Sequence, residues 1–413
     1  MKDDDNNSMQ KPIGDNIKKT ILGIAFLMAT TSVGPGFLTQ NTIFTSLFRF
    51  EMALVVFTAI CFTFVMIMNI WLIVGVSGLR IQDISNKVAP GLGYIVGVLL
   101  ALGAVAFNLG NVSGSALGIN VLTGINTTGG ALITGGLGIG LFLLHNAAKR
   151  MDQMAKYLGL FMILLIAYVA LKGLPNIAPE LINKTSLDFS FSNASSLLLP
   201  ILLVVGGSVG GYYTGAHRLI DCNFTGIANV NNIKRAGFTG IIIAGTIQTL
   251  LFLAVLAVVV TGVTLDLQNP AADAFKHGAG EIGYFIFGFV LFFASITSVI
   301  GNSYMAISLL KTIFPVVGRN EKYWCIGFIV VTTLATIVMG KPVLLLMVAG
   351  LVNSFILPVV LTTLMLATKK KEIVGNYEHP KWLTILGSIM VIVMVYGGFL
   401  NASSFFAKIG SLL

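Results

Sequence analysis

The sequence predicts an all-α integral membrane protein of about eleven spans, built as two five-helix halves plus one further helix. Three observations predict it. Of 413 residues, 56% are apolar and only 10% charged, and the mean hydropathy is +0.91. A soluble domain carries about 25% charged residues, so most of this surface does not face water. Apolar stretches near the roughly 20 residues that cross a bilayer recur along nearly the whole chain. Two of those stretches carry dense Gly, Pro and Ser clusters, and they stand five spans apart.

The spans are expected at about 20–45, 53–76, 91–122, 131–147, 157–172, 196–219, 236–263, 282–309, 323–340, 343–367 and 383–403. They divide the chain into a cytoplasmic tail (1–19), a first five-helix unit with its outer loop (20–195) and a second unit (196–368). Residues 369–413 then hold a cytoplasmic loop, span 11 and a short outer C-terminus. The tail carries Asp3, Asp4 and Asp5 but is mixed in sign and lacks a cleavage-site pattern, so it does not read as a removable signal peptide. Connections are short, which leaves no room for a soluble catalytic domain.

Orientation follows from the basic residues. With the N-terminus inside, 19 of the 25 Lys and Arg fall in inside segments, and only Arg49, Lys172, Lys184, Lys276, Lys341 and Lys408 fall outside. That bias predicts a multi-pass protein of the cell membrane with its N-terminus in the cytoplasm and its C-terminus outside. It also accounts for the net charge of +9 without a nucleic-acid partner. Cys61, Cys222 and Cys325 form neither a disulfide framework nor a metal-binding spacing. The partners expected are the lipid bilayer and a small-molecule or ion substrate, with no obligate protein partner.

Most of the 46 glycines serve close helix packing, as small residues do in membranes. The run Gly135 to Gly140 has a nucleotide-loop look, but it lies inside an apolar span with no strand before it. Spans 1 and 6 differ. Span 1 contains Ser32-Val33-Gly34-Pro35-Gly36-Phe37, and span 6 contains Gly206-Gly207-Ser208-Val209-Gly210-Gly211-Tyr212-Tyr213-Thr214-Gly215. This density predicts helices unwound at mid-membrane, over Gly34–Phe37 and about Ser208–Tyr213. Interrupted helices in corresponding positions of two halves point to a midplane binding site.

At these residues the sequence resembles the Nramp family of proton-coupled divalent metal transporters. That family's first helix carries Asp-Pro-Gly-Asn, where this chain has Gly34-Pro35-Gly36-Phe37 after an apolar lead-in. Its sixth helix carries Met-Pro-His and a second His, where this chain has Gly210-Gly211-Tyr212 and His217. The resemblance covers about residues 20–405 and implies a LeuT-like inverted-repeat fold. It does not carry the metal site across: the ligand positions are Gly34, Phe37 and Gly210, which offer no ligand side chain. The 16 acidic residues, moreover, all lie in the tail, in loops or at span ends. Divalent cations want carboxylate or imidazole ligands, so no metal-binding residue is assigned.

The substrate residues expected are therefore Gly34, Gly36, Phe37 and Gln40 of span 1, Asn108 and Asn111 of span 3, and Gly210, Gly211, Tyr212 and Tyr213 of span 6. Asn108, Asn111 and Ser115 share one helical face and either donate to a substrate or join helices. Half-helix N-termini favour an anionic group such as a carboxylate. For coupling, Ala294, Thr297 and Ser298 match an Ala-x-x-Thr-Ser pattern of LeuT-like sodium symporters. With carbonyls near Ser32 and Val33 they are candidate Na⁺ ligands. Proton coupling is the other option, with His217 as the ionisable residue near the break that ordinarily titrates near neutrality. No cofactor is expected beyond Na⁺ or H⁺ as coupling ion. The reading is a secondary-active symporter, not an enzyme, for a small carboxylate-bearing, amino-acid-like solute. The alternative is a Mn²⁺, Fe²⁺ or Mg²⁺ transporter of the Nramp family.

Overall fold

The computed structural model of the protein describes residues 14–143, 147–183 and 191–410. The expected tail up to Ile13, the connection at 184–190, and the side chains of Lys149, Arg150, Lys156 and Lys408 lie outside the described residues.

The first half comprises α1 (Gly14–Ser32), α2 (Pro35–Phe48), α3 (Met52–Ser77), the short α4 (Ile81–Val88), α5 (Leu92–Thr123), α6 (Thr127–Leu143) and α7 (Ala147–Asn183). The second comprises α8 (Phe191–Gly207), α9 (Val209–Asp221), α10 (Val230–Val259), α11 (Pro270–Ile313), the short α12 (Pro315–Arg319), α13 (Glu321–Met339) and α14 (Pro342–Ala367). A four-residue turn of helix, α15 (Lys371–Val374), precedes α16 (Lys381–Gly410). Nine stretches among the described residues are long and apolar enough to cross a membrane. One of them, Pro35–Ser77, runs through two helices, and α6 is apolar but shorter. Counting α1 with α2 and α8 with α9 as single broken passes gives the eleven spans expected.

Proline and glycine punctuate these helices as their chemistry dictates. Pro35, Pro270 and Pro342 sit at the first helical turn, where a missing N–H costs nothing. Gly280 adopts φ 73° inside α11, a conformation that L side chains rarely adopt. It divides that helix into a ten-residue lead segment and the membrane pass proper. The lead segment lies between the seventh and eighth passes, as α4 lies between the second and third. Each half thus carries a short helix at the same point in its order but on opposite sides of the membrane, the signature of inverted repeats.

The core centres on α5, which packs most extensively against α11 and α14. Close approach depends on glycine: a Cβ on Gly114 would run into Pro35 and Ser295, and one on Gly118 into the backbone of Phe292. Such small-residue seams replace the hydrophobic drive that lipid removes.

Candidate functional site

Helix 1 is interrupted over Val33 and Gly34. Pro35 has no N–H to give the preceding turn, and its ring opposes the carbonyl four residues back. The bonds that bracket the gap are Val33 N–H to Ala29 O (3.2 Å) and Leu38 N–H to Gly34 O (3.1 Å). The interruption is shorter than the expected Gly34–Phe37, because Pro35 preorganises the next helix and takes Gly36 and Phe37 into α2. Gly36 is buried opposite the carbonyl of Leu346, and Phe37 is a core side chain at 2% exposure. Neither faces open space.

The break in helix 6 is smaller still. Only Ser208 separates α8 from α9, and its φ/ψ of −94°/−4° stays in the helical region. Ser208 N–H to Val205 O (3.2 Å) and Gly211 N–H to Ser208 O (3.1 Å) make a tight three-residue turn. The expected unwinding to Tyr213 does not occur, because the glycines serve packing and no proline stands among them. Gly211 is pressed against Ser32 and the Met28 carbonyl of α1, and Gly215 against the ring of Trp71.

Around these breaks the helices separate. α1 packs on α9 and α10, whereas α11 packs on α5, α7 and α2, and neither α1 nor α9 packs extensively on α11. The faces across this cleft are partly exposed in an otherwise buried zone. They present Thr31 and Gly34 from helix 1, Gly210, Thr214 and His217 from α9, and Ala294 and Ser298 from α11. Gly210, Thr214 and His217 are spaced by four and three, so they share one helical face. A Cβ on Gly34 would meet nothing within 4 Å, and one on Gly210 only the Thr31 carbonyl at 3.4 Å. At the end of the cleft nearest α4, Arg80 donates to Ser308 of α11 at 2.9 Å.

α1 ends and α2 begins at the Val33–Gly34 break, so a negative and a positive helix end, each worth about half a charge, meet there, while the turn at Ser208 interrupts its helix only slightly. No acidic side chain occupies the first turn of α2 or α9.

The remaining expected residues separate into two groups. Tyr213 and His217 lie on or beside the Gly210 face, buried or partly buried, with Tyr213 Oη and His217 Nε2 lacking a hydrogen-bond partner among the described residues. Asn111 is 5% exposed, and no hydrogen bond holds its amide among the described residues. Tyr212 instead points away, sharing a 2.9 Å bond with Thr63 while its carbonyl accepts from Trp71 Nε1 at 2.9 Å. Asn108 donates to Thr332 of α13 at 2.8 Å, and Ser115 accepts from Thr134 of α6 at 2.8 Å, so both join helices. Gln40 Nε2 donates to Leu346 O at 3.0 Å, pinning α2 to α14.

The hydroxyls among the candidate Na⁺ ligands are turned onto their own helix. Thr297 Oγ1 bonds Phe293 O and Ala294 O, both at 3.0 Å, and Ser298 Oγ bonds Ala294 O at 2.8 Å. Ser32 and Val33 are buried, Ser32 against Gly211 of α9. Sequence reasoning missed Ser295, whose buried Oγ has no partner among the described residues and which packs by Gly114, itself against Pro35. It lies inside the Ala294–Ser298 run, but only the rotation of α11 shows that it faces the break. In the sequence Arg80 likewise shows only as one of the basic residues of the inside segments.

Comparison with known proteins agrees with this architecture. The chain is 42% identical over 380 residues to the membrane protein YcsG of Bacillus subtilis, covering 92% of this chain and 93% of that one. A Haemophilus influenzae membrane protein is 41% identical over 379 residues, covering 91% and 94%. Among solved structures, the Eremococcus coleocola manganese transporter superposes with a TM-score of 0.65 at 17% identity, covering 97% of this chain and 90% of that chain. The inward-facing form of Mhp1 superposes with a TM-score of 0.61 at 16% identity, covering 94% and 91%. The profile of the natural resistance-associated macrophage protein-like (Nramp) family matches residues 25–402. A chain matched over that length, with two broken helices meeting at the centre of two inverted halves, belongs to the Nramp family of membrane transporters.

Proposed function

We propose that the protein is a secondary-active symporter for a small carboxylate-bearing organic solute, driven by Na⁺ or H⁺ across the cell membrane, with its basic side in the cytoplasm. The observation that carries this reading is the positive end of α2 at the Val33–Gly34 break, beside the Gly210 face of α9, with no carboxylate in the first turn of either helix. Unfilled helix N-termini stabilise an anion. The missing Cβ atoms leave room for a ligand to reach the backbone, and Tyr213 Oη and the Asn111 amide are buried polar groups without a partner among the described residues. The carbonyl end of α1 supplies the opposite sign, suited to an ammonium group or a coupling cation.

Divalent-metal transport is the second reading, favoured by the likeness of fold to the manganese transporter. It needs donor side chains where this chain has Gly34, Phe37 and Gly210, and a desolvated divalent ion without them is costly. The discriminating experiment measures thermal stability of the purified protein against small carboxylates, amino acids and Mn²⁺. Ligand at 100 times its dissociation constant adds about 2.7 kcal/mol to stability. A carboxylate should raise the melting temperature and Mn²⁺ should not below millimolar concentration. Saturable micromolar Mn²⁺ uptake into proteoliposomes, abolished by changes at Gly34, would overturn the proposal.

A further inference from the structure

An apolar groove of about 380 Å³ opens between α3, α10 and the start of α16, on the side of the membrane where the basic residues gather. Its floor is Phe64, Met68 and Leu72 of α3. Phe238 and Trp382 flank it, and both rings are about half exposed. Lys234 and Arg235 complete the wall. Their aliphatic stems suit an apolar lining while their charged heads reach the water boundary. The volume falls in the range of small-ligand clefts, ~300–1,000 Å³.

Two features say what fills it. Lys234 and Arg235 are exposed, and neither has a carboxylate partner among the described residues. They also lie in the second turn of α10, whose first turn holds no acidic residue. Two adjacent cations without a counter-charge repel one another, so this rim calls for an anion that the described residues do not supply. The groove below it is lined by Phe64, Met68, Leu72, Phe238, Trp382 and Leu383, which suits an apolar occupant. One molecule of the bilayer satisfies both demands. We propose that this groove binds an anionic glycerophospholipid, with an acyl chain along Phe64, Met68 and Leu72 and its phosphate between Lys234 and Arg235.

The seat is built in advance of its ligand. Trp382 stacks on Phe64 with ring centroids 6.3 Å apart and planes 15° from parallel. Asn69 Nδ2 donates to Leu383 O at 3.3 Å while its Oδ1 faces His379 Nε2 at 3.0 Å, which ties the start of α16 to α3. A lipid here would bridge α3, α10 and α16 on the face of the bundle away from the cleft, independently of what the transporter carries.

Native mass spectrometry of the full-length protein with phosphatidylglycerol or phosphatidylcholine tests this. Two cations near the surface, each worth about 1 kcal/mol, give a roughly tenfold to thirtyfold preference for phosphatidylglycerol. Lys234→Gln with Arg235→Gln should abolish the preference, and Lys234→Arg with Arg235→Lys should keep it. These positions are exposed, so the variants fold. Equal retention of both lipids overturns the proposal, as does a preference that survives the glutamine pair. It also falls if inorganic phosphate alone removes the preference, or if lipid is displaced by a second copy of the chain.

Discussion

The two halves of helix 1 sit in opposite circumstances. Beyond the break, every residue of α2 from Pro35 to Thr45 is buried, five polar side chains among them: Thr39, Gln40, Asn41, Thr42 and Thr45. Gln40 fits against Gly207 of α8 and Gly350 of α14 and bonds Leu346, so three helices close on one another without a gap. On the other side of the break, Thr30, Thr31 and Gly34 are partly exposed and α1 stands apart from α11. The same helix therefore closes one face of the membrane and leaves the other open. For a transporter this is the arrangement that opens toward the basic side. Glycine does different work in the two halves: it removes space above the break and leaves it below.

The largest effect should come from filling the closed half. A Cβ on Gly206 would occupy the position of the Gly350 carbonyl, which is backbone and cannot swing aside. Overpacking typically costs 1–3 kcal/mol and more where nothing relaxes, so Gly206→Val is expected to lose most folded protein in a thermal melt. Gly34→Ala meets nothing within 4 Å and keeps an ordinary φ of −82°. It should melt within about 0.5 kcal/mol of the natural protein while changing substrate affinity. Equal destabilisation by both would break the comparison.

Next comes the open half. Thr297→Ala with Ser298→Ala removes two hydroxyls now turned onto their own helix. Should Na⁺ draw α1 across the cleft onto α11, both hydroxyls must leave those bonds and face the ion. Losing such contacts costs about 1.5–3 kcal/mol, or roughly a tenfold to hundredfold drop in Na⁺ affinity. Substrate affinity should fall by the same coupling factor, because linkage is reciprocal for binding. Titrating substrate binding with Na⁺ against choline at fixed pH reads both. Binding that ignores Na⁺ but responds to pH would move attention to His217→Ala.

Much of this was legible in the chain. Composition and Lys/Arg placement predict eleven passes and their alternation, since in lipid only a helix satisfies every backbone group. The position of both breaks was legible too, from Pro35 and the glycines about Ser208. Their extent was not, because a glycine run looks the same whether it unwinds a helix or admits a neighbour. Gly211 and Gly215 turned out to admit Ser32 and Trp71. Side-chain direction was the other blind spot. Tyr212 and Tyr213 are adjacent in sequence and 100° apart around α9, so one bonds Thr63 and the other lies beside Gly210. Asn108 and Asn111 divide in the same way, and only the packing of α5 against α13 tells which is occupied.

A smaller effect belongs to the clamp itself. Gln40→Met keeps the volume but removes the side-chain bond that ties α2 to the Leu346 carbonyl, which keeps only its own helical N–H. Losing one such hydrogen bond costs about 0.5–1.5 kcal/mol. The closed half should loosen before the fold does. A cysteine at Thr45, now fully buried, would then label faster in a background without native cysteines. Unchanged labelling would show that packing alone keeps this face shut.

The smallest effect lies outside the cleft and serves as its control. His379 sits in the loop before α16, where burial and then the nearby charge of Lys234 push its pKa down from 6.5 to about 4. Asn69 Nδ2 is already donating, so its Oδ1 must accept, and His379 Nε2 carries the proton while Nδ1 accepts from Tyr377 Oη at 3.4 Å. Protonation turns Nδ1 into a donor, breaks the contact with Tyr377 and places a cation beside Lys234. Because folding lowers this pKa, the unfolded chain takes up the proton first. The stabilisation is complete above pH 6.5 and is lost as the pH falls toward 4. At ~1.4 kcal/mol per pKa unit, discounted for partial exposure, the loss is on the order of 1 kcal/mol. Thermal melts between pH 7.5 and 4.5 should show that drop in the natural protein and a flatter profile in His379→Gln. Accessibility of the Thr45 probe should not change with it, since this pin joins α16 to α3 and touches neither half of helix 1.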